Sequence, residues 1–205
     1  MSFRLYLVRH GATLWNEAGK HQGRLPGIGL SPAGIDQVKT QAETLHFKDF
    51  AAVVSSPLQR AFDTAKILLE VTGIDTAIMP DKSFDEWDIP QWNRLTLSEI
   101  EERFPVEYQL FARAPDIDNL SGAETLFDVQ TRALKGIQLL QHTYSDEPVL
   151  VVTHAAVIAV IVCGLLDMPL SSYRRIPISN ASLTLIEIAQ QPLLQLFNWH
   201  PTKLE

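Results

Sequence analysis

Short apolar runs alternate with stretches of helical periodicity along this chain, and the runs give way to residues able to do chemistry. Leu5-Tyr6-Leu7-Val8 breaks off at Arg9-His10-Gly11, and Ala51-Ala52-Val53-Val54 is followed by Ser55-Ser56-Pro57 and Arg60. A run over Thr76–Met79 precedes Glu86, and Pro148–Val152 leads into His154. Apolar runs this short, bounded by turn or charge signals, read as strands buried on both faces. Between them, Ser31-Pro32 opens a helix to about Leu45, with serine capping and proline at a position whose N–H is not needed. Ser56-Pro57 repeats the signal for a helix to about Val71, whose inner face carries Leu58, Ala61, Ala65, Leu68 and Leu69. Further helices are expected from Glu124 to about Tyr144 and from Ala155 to Leu166, and further strands at Ser182–Ile188 and Leu193–Phe197. This alternation predicts an α/β fold, a three-layer α/β/α sandwich whose mainly parallel sheet carries helices on both faces.

Ligands of such sheets gather beyond the carboxyl ends of the strands. That rule collects His10, Arg60, Glu86 and His154, which are distant in sequence, into one constellation. The stretch 84–122 is less regular, with a short helix from Thr96 that stops before Pro105. Residues 105–122 read as the least structured part, a mobile cover within one domain spanning 1–205 rather than a linker between two.

A formal charge of −7, with no basic cluster beyond Arg174-Arg175, argues against a nucleic-acid surface, so any cationic site must be local. The sequence shows no leader-like segment and no apolar run approaching the ~18 residues of a membrane span. A soluble monomer or homodimer is expected. The lone Cys163 lies in an apolar helix, reads as core, and suits a reducing, cytoplasmic setting. His21, His46, His142 and His200 lack metal-ligand spacing, so neither a metal nor another cofactor is expected. Gly27-Ile28-Gly29 lacks the Gly-Lys-Ser/Thr ending of a nucleotide-binding loop. Trp15, Trp87, Trp92 and Trp199 read as partial core before they read as substrate contacts.

Arginine forks and a histidine suit a tetrahedral dianion, so phosphate is the expected anion. With phosphate held, His10 could attack phosphorus in line and give a phosphohistidine that water resolves. Arg9, Arg60 and His154 would each disfavour a charged His10 and keep its lone pair available. The leaving alkoxide needs a proton, for which Glu86 is the best donor, because a neighbouring phosphate would raise its pKa. Asp85 and Asp88 are rival carboxylates. Asn16 and backbone amides could bind the remaining phosphate oxygens.

Arg9-His10-Gly11-Ala12-Thr13-Leu14-Trp15-Asn16 resembles the signature of the histidine phosphatase superfamily, in its phosphoglycerate-mutase-like branch. The likeness continues through Gln22-Gly23, Ser55-Ser56-Pro57-Leu58-Gln59-Arg60-Ala61, Thr64-Ala65, Glu86 and Trp92. It resumes at Gly122-Ala123-Glu124-Thr125, Val152-Thr153-His154 and Asn180-Ala181-Ser182. The resemblance implies a phosphoglycerate-mutase-like fold, His10 as the phosphorylated residue and Glu86 as proton donor. It implies a phosphate pocket of Arg9, Arg60 and His154, with Asn16, Gln22 and Gly23 beside the substrate, and the backbone of Ala155 available to an oxyanion. The chain departs from the family at Ala155-Ala156, Pro90 and Arg94, where glycine is usual; an alanine forced to positive φ would be strained.

The implied activity is that of a metal-independent phosphatase of a small phosphomonoester, with α-ribazole phosphate, phosphoglycerate or a sugar phosphate as candidate substrates. A phosphoglycerate mutase and a non-catalytic binder of phosphorylated ligands are the alternatives. Mutases resembling this branch are usually longer, which favours water as the acceptor.

Overall fold

The computed structural model describes residues 2–44, 49–113 and 122–201. Its elements are β1 (Phe3–Arg9), α1 (Leu14–Glu17), α2 (Pro32–Thr44), β2 (Ala52–Ser55), α3 (Gln59–Thr72), β3 (Ile78–Pro80), α4 (Leu97–Arg103), α5 (Pro105–Arg113), α6 (Leu126–Tyr144), β4 (Val149–Thr153), α7 (Ala155–Leu165), β5 (Leu183–Ile188) and β6 (Leu193–Trp199). The six strands form one sheet in the order β3-β2-β4-β1-β5-β6. The pairings among β1 to β4 are parallel, whereas β5 and β6 are added antiparallel, so the sheet is mixed and mainly parallel.

Strand alternation divides the core into two layers. Leu5, Leu7, Val54, Val149 and Val151 point to the side covered by α6 and α7, where they meet Val129, Ile137, Ile158 and Ile161. Tyr6, Val8, Val53, Leu150 and Val152 point to the opposite side and meet Val38 of α2 with Ala61, Ala65 and Leu68 of α3. Burying one such aliphatic side chain stabilises the fold by roughly 1.5–3 kcal/mol, and a one-residue slip of β1 or β4 would trade side chains of different size between two close-packed layers. Register is therefore tightly specified. Leu5 pairs with Val149 and Arg9 with Thr153, while Ser55 pairs with Val152. The ends of β1, β2 and β4 consequently lie side by side, with His10, Ser56 and His154 just beyond them.

Local signals account for most helix starts. Ser31 Oγ accepts from the Gly34 amide at 3.1 Å, as a cap before Pro32 should. Thr13/Asn16, Thr96/Glu99 and Thr125/Asp128 form reciprocal capping boxes at α1, α4 and α6. The Ser56-Pro57 signal behaves differently from the expectation. The helix starts at Gln59 without a side-chain cap, because the Ser56 hydroxyl bonds to Asp85 and a ring nitrogen of His154. Arg60 thus stands at the second position of α3 rather than a full turn in.

The less regular stretch also departs from the reading. Residues 105–113 form α5, with Pro105 at its first position, where a missing N–H costs nothing; the same proline that stops α4 starts the next helix. Phe111 from α5 joins Ile89, Trp92 and Ile100 in a third, small core. The rest of the expected cover, 114–121, lies outside the described residues, as does His46. Trp92 is completely buried in that core and Trp199 packs against the second. No helix among the described residues is long and apolar enough to cross a membrane.

Candidate active site

A cavity of about 460 Å³ opens at the carboxyl end of β1, lined by Arg9, His10, Asn16, Gln22, Gly23, Arg60, Glu86 and Ala155 among others. His154 stands behind its wall, wholly buried, with its ring centroid 5.1 Å from that of His10 and the planes inclined at 62°. All the side chains expected at the site meet at one place.

The His10 ring is oriented by its own backbone. Its Nδ1 lies 2.7 Å from the Gly11 carbonyl, which can only accept, so Nδ1 carries the proton and Nε2 of the neutral ring is left bare. The turn is possible because residue 11 is glycine: a Cβ there would stand 2.5 Å from the Gly34 carbonyl oxygen. Burial, and then the charges of Arg9 and Arg60, hold His10 well below the ordinary histidine range. Burial comes first among these causes, ahead of the neighbouring cations anticipated from the sequence.

His154 is fixed by a relay. The Ser56 hydroxyl donates to Asp85 Oδ1 at 2.7 Å, so it must accept at 2.9 Å from His154 Nε2, and it also accepts from the Leu58 amide. Nε2 therefore bears a proton, and Nδ1 is buried without a hydrogen bond. Burial and the nearby Arg60 push this histidine down strongly as well.

The two arginines are anchored at one nitrogen each. Arg9 Nη1 donates to the Ile178 carbonyl at 2.6 Å, and Arg60 Nη2 to the Gly23 carbonyl at 2.7 Å. Gly23 takes positive φ beside Asp88 and Asn93, whose side chains leave no room for a Cβ. Arg9 Nε, Arg60 Nε and Arg60 Nη1 are buried with no hydrogen bond in the chain. Unpaired buried donors of this kind are costly, so their convergence is a cradle for an anion. Burial lowers Arg9 to about 10, which keeps it charged at neutral pH. The Asn16 oxygen accepts from Thr13 and Asn180, leaving its NH2 group as the donor it can present to the cavity.

Of the neighbouring carboxylates, Glu86 lines the cavity, whereas Asp85 serves the Ser56 relay and Asp88 binds the Arg24 amide and Asn93. Burial raises Glu86 above the ordinary carboxylate value, against the opposing pull of Arg60, the Trp87 amide, Arg9 and Arg132. A carboxyl group in this environment is suited to hold a proton. Ala155 and Ala156 lie in the first turn of α7 with negative φ, so the feared strain is absent. The unpaired amides of that turn remain available at the cavity wall. Arg94, in contrast, has φ of 75°, a conformation that glycine adopts without penalty.

Beyond the cradle the cavity is walled by Trp87, Ile89, Phe111, Tyr173 and Ile176, with Lys20, His21 and Arg174. The Arg174 guanidinium stacks 4.5 Å over the Phe111 ring. In the sequence Arg174 is no more than half of a basic pair and His21 a histidine without metal-ligand spacing, and nothing there points to Tyr173 or to the Ser56 relay. Among the described residues no group of three or more His, Cys, Asp or Glu is placed to hold a metal ion.

A mainly parallel sheet with two buried imidazoles and two anchored arginines beyond its strand ends defines an α/β protein with a cationic pocket suited to an oxyanion. The chain belongs to the histidine phosphatase superfamily (branch 1), whose family model matches residues 5–200. It is 27% identical over 188 residues to phosphoserine phosphatase 1 of Hydrogenobacter thermophilus, covering 92% of this chain and 88% of that protein. Identity to the adenosylcobalamin/alpha-ribazole phosphatase of Salmonella typhimurium is 30%, with 91% of each chain covered. A solved mycobacterial glucosyl-3-phosphoglycerate phosphatase, complexed with VO3, superposes with a TM-score of 0.85 at 28% identity, over 95% of this chain and 98% of that one. The chain spans about half the length of mycobacterial relatives to which it is 34% identical.

Proposed function

We propose that this protein hydrolyses small phosphomonoesters through a phosphohistidine formed on His10. The observation that carries the reading is the bare Nε2 of His10 beside unpaired buried donors on Arg9 and Arg60. A phosphoryl group seated there has three oxygens held by arginine forks, the Asn16 amide and the first turn of α7. Nε2 attacks phosphorus, the bond to the ester oxygen breaks, and Glu86 delivers a proton to that oxygen as the alcohol leaves. Glu86, now a carboxylate, takes a proton from the incoming water; the P–N bond breaks, inorganic phosphate departs, and the starting state returns. His154 gains a favourable charge partner when a dianion binds, so its protonation and that of the substrate are linked.

The wall of Trp87, Ile89, Phe111 and Tyr173 supports an alcohol with an apolar, ring-bearing body. α-Ribazole phosphate is an ester of that type. Lys20 and Arg174 add positive charge that favours esters carrying a further anionic group. A cytoplasmic location belongs to the same reading, supported by the single, buried thiol of Cys163.

The test is acid-labile phosphate on the protein after rapid mixing with a reactive ester, its disappearance in His10→Ala, and equimolar release of alcohol and inorganic phosphate. Isomerisation of phosphoglycerate without phosphate release would indicate a mutase instead. Tight phosphate binding with no turnover of any ester would indicate a binding protein.

A further inference from the structure

We propose that Glu124 is a positioning residue for the proton donor: it holds Arg24 and Arg132 on the Glu86 main-chain carbonyl and so sets where the Glu86 carboxyl stands. The inference rests on Glu86 being the acid of the proposed reaction. Arg24 Nε donates to the Glu86 carbonyl at 3.0 Å and Arg132 Nη2 donates to the same oxygen at 3.3 Å. Two guanidinium groups meeting on one oxygen repel each other. Glu124 lies between them, accepting from Arg24 Nη2 at 2.5 Å and from Arg132 Nε and Nη2 at 2.7 and 3.1 Å.

The clasp grips the acid segment at several further points. Arg132 Nη1 donates to the Ser83 carbonyl at 2.8 Å, and the Trp87 indole donates to the Glu124 carbonyl at 2.5 Å. The Glu124 amide reaches the Asp88 carbonyl at 3.4 Å, and the Arg24 amide donates to Asp88 Oδ1 at 3.1 Å. Residues 83 to 88 are thus gripped from the loop after α1 and from the start of α6. Glu124 touches neither the phosphate cradle nor the cavity surface; its effect on the reaction must pass through Glu86.

Charge supports the same conclusion. The charged groups facing the Glu86 carboxyl are Arg60 from α3, Arg9 from β1 and Arg132 from α6, and all three favour its deprotonation. Tyr173, from the turn after α7, is a further titratable neighbour that burial keeps neutral, and His10 on the same cavity and His154 behind it are held neutral by burial as well. Glu124 compensates Arg132. Glutamine in its place would keep the shape, leave Arg132 uncompensated, and make Glu86 give up its proton at lower pH.

The experiment compares kcat/KM of this protein for two esters of similar apolar body, 4-nitrophenyl phosphate and 2-phenylethyl phosphate. The nitrophenolate leaves with little help, whereas the alkoxide needs the acid. Glu124→Gln is expected to lower the alkyl ester by about 100-fold and the aryl ester by no more than about threefold. The alkaline limb of the alkyl-ester profile is expected to move to lower pH. Glu86→Gln is the reference and should show the same selectivity at larger size. Should Glu124→Gln fold poorly, judged by its melting temperature, Arg24→Met removes one of the two bonds to the Glu86 carbonyl and should show a weaker form of the same selectivity. Equal losses for both esters in Glu124→Gln or Arg24→Met, with Glu86→Gln still selective, would overturn the proposal and leave the acid assignment intact. Absence of selectivity in Glu86→Gln would remove the acid assignment and this proposal with it.

Discussion

The inner half of the cavity stands on strand ends and helix starts, and its side chains are tied to main-chain oxygens: His10 to Gly11, Arg9 to Ile178, Arg60 to Gly23. The outer half comes from turns and the short helix α5, and is held mainly by rings, with Trp87 also tied to the Glu124 carbonyl: the Phe111 ring centroid lies 5.0 Å from that of Trp92 and 5.8 Å from that of Trp87, and that of Tyr173 lies 6.1 Å from that of Trp87. Hydrogen bonds to the backbone fix an atom within tenths of an ångström, whereas aromatic packing accepts shifts and exchanges of shape. The reaction is thereby insulated from changes in what is being hydrolysed. A wall of this kind can be rebuilt for another alcohol without moving the nucleophile.

If the halves are as separable as this, substitutions inside should alter turnover for every ester, and substitutions outside should alter selection among esters. His10→Ala tests the inner extreme and should lower turnover at least about 10⁴-fold for all esters, measured as phosphate release. Arg60→Ala should cost about 10²- to 10³-fold in kcat, because it removes two otherwise unpaired buried donors. A loss confined to one ester would break the division. Arg174→Ala should instead raise KM by about three- to tenfold for esters with a second negative charge, leaving kcat and uncharged esters alone. A uniform change across esters would show the outer wall coupled to the chemistry.

Stability separates the halves too. His10 and His154 are both held below the ordinary histidine value of 6.5 in the fold, so the unfolded chain binds more protons below that pH. Their contribution is therefore present above about pH 6.5 and lost on acidification. Glu86 acts in the opposite sense, its contribution falling as pH rises above the ordinary 4.5. Thermal melts of the wild type and His10→Asn between about pH 5 and 8 should show a shallower acid-side decline in the variant. In the less regular stretch after Phe84, Arg94→Gly should stabilise by about 1 kcal/mol by relieving its left-handed backbone, read as a higher melting temperature.

The difference between the halves also explains what could be read in advance. His10, Arg60 and His154 were legible because each follows an apolar run, and strand order in a parallel sheet converts that position into proximity. The same rule reached the segment of Glu86, but its choice over Asp85 and Asp88 rested on chemical need, since no periodicity separates the three. The Ser56 relay was invisible for a different reason. Serine before proline is a sound helix cap, and only the register of β2 against β4 reveals that its hydroxyl is committed to His154. Helix α5 was hidden by its proline, which ends one helix and begins the next. The small core around Trp92 joins residues 89 to 111 through contacts that follow neither a strand nor a helix period.

The hydrogen bond from the His10 ring to the carbonyl of the very next residue has an evolutionary consequence. Elsewhere a partner side chain can be swapped, and a histidine tautomer swapped with it. Here the acceptor is written into the peptide unit itself, which every amino acid possesses, so what must be kept is only Gly11, whose missing Cβ lets the turn form. Descendants of this protein are free to drift at most positions while inheriting the same reactive nitrogen.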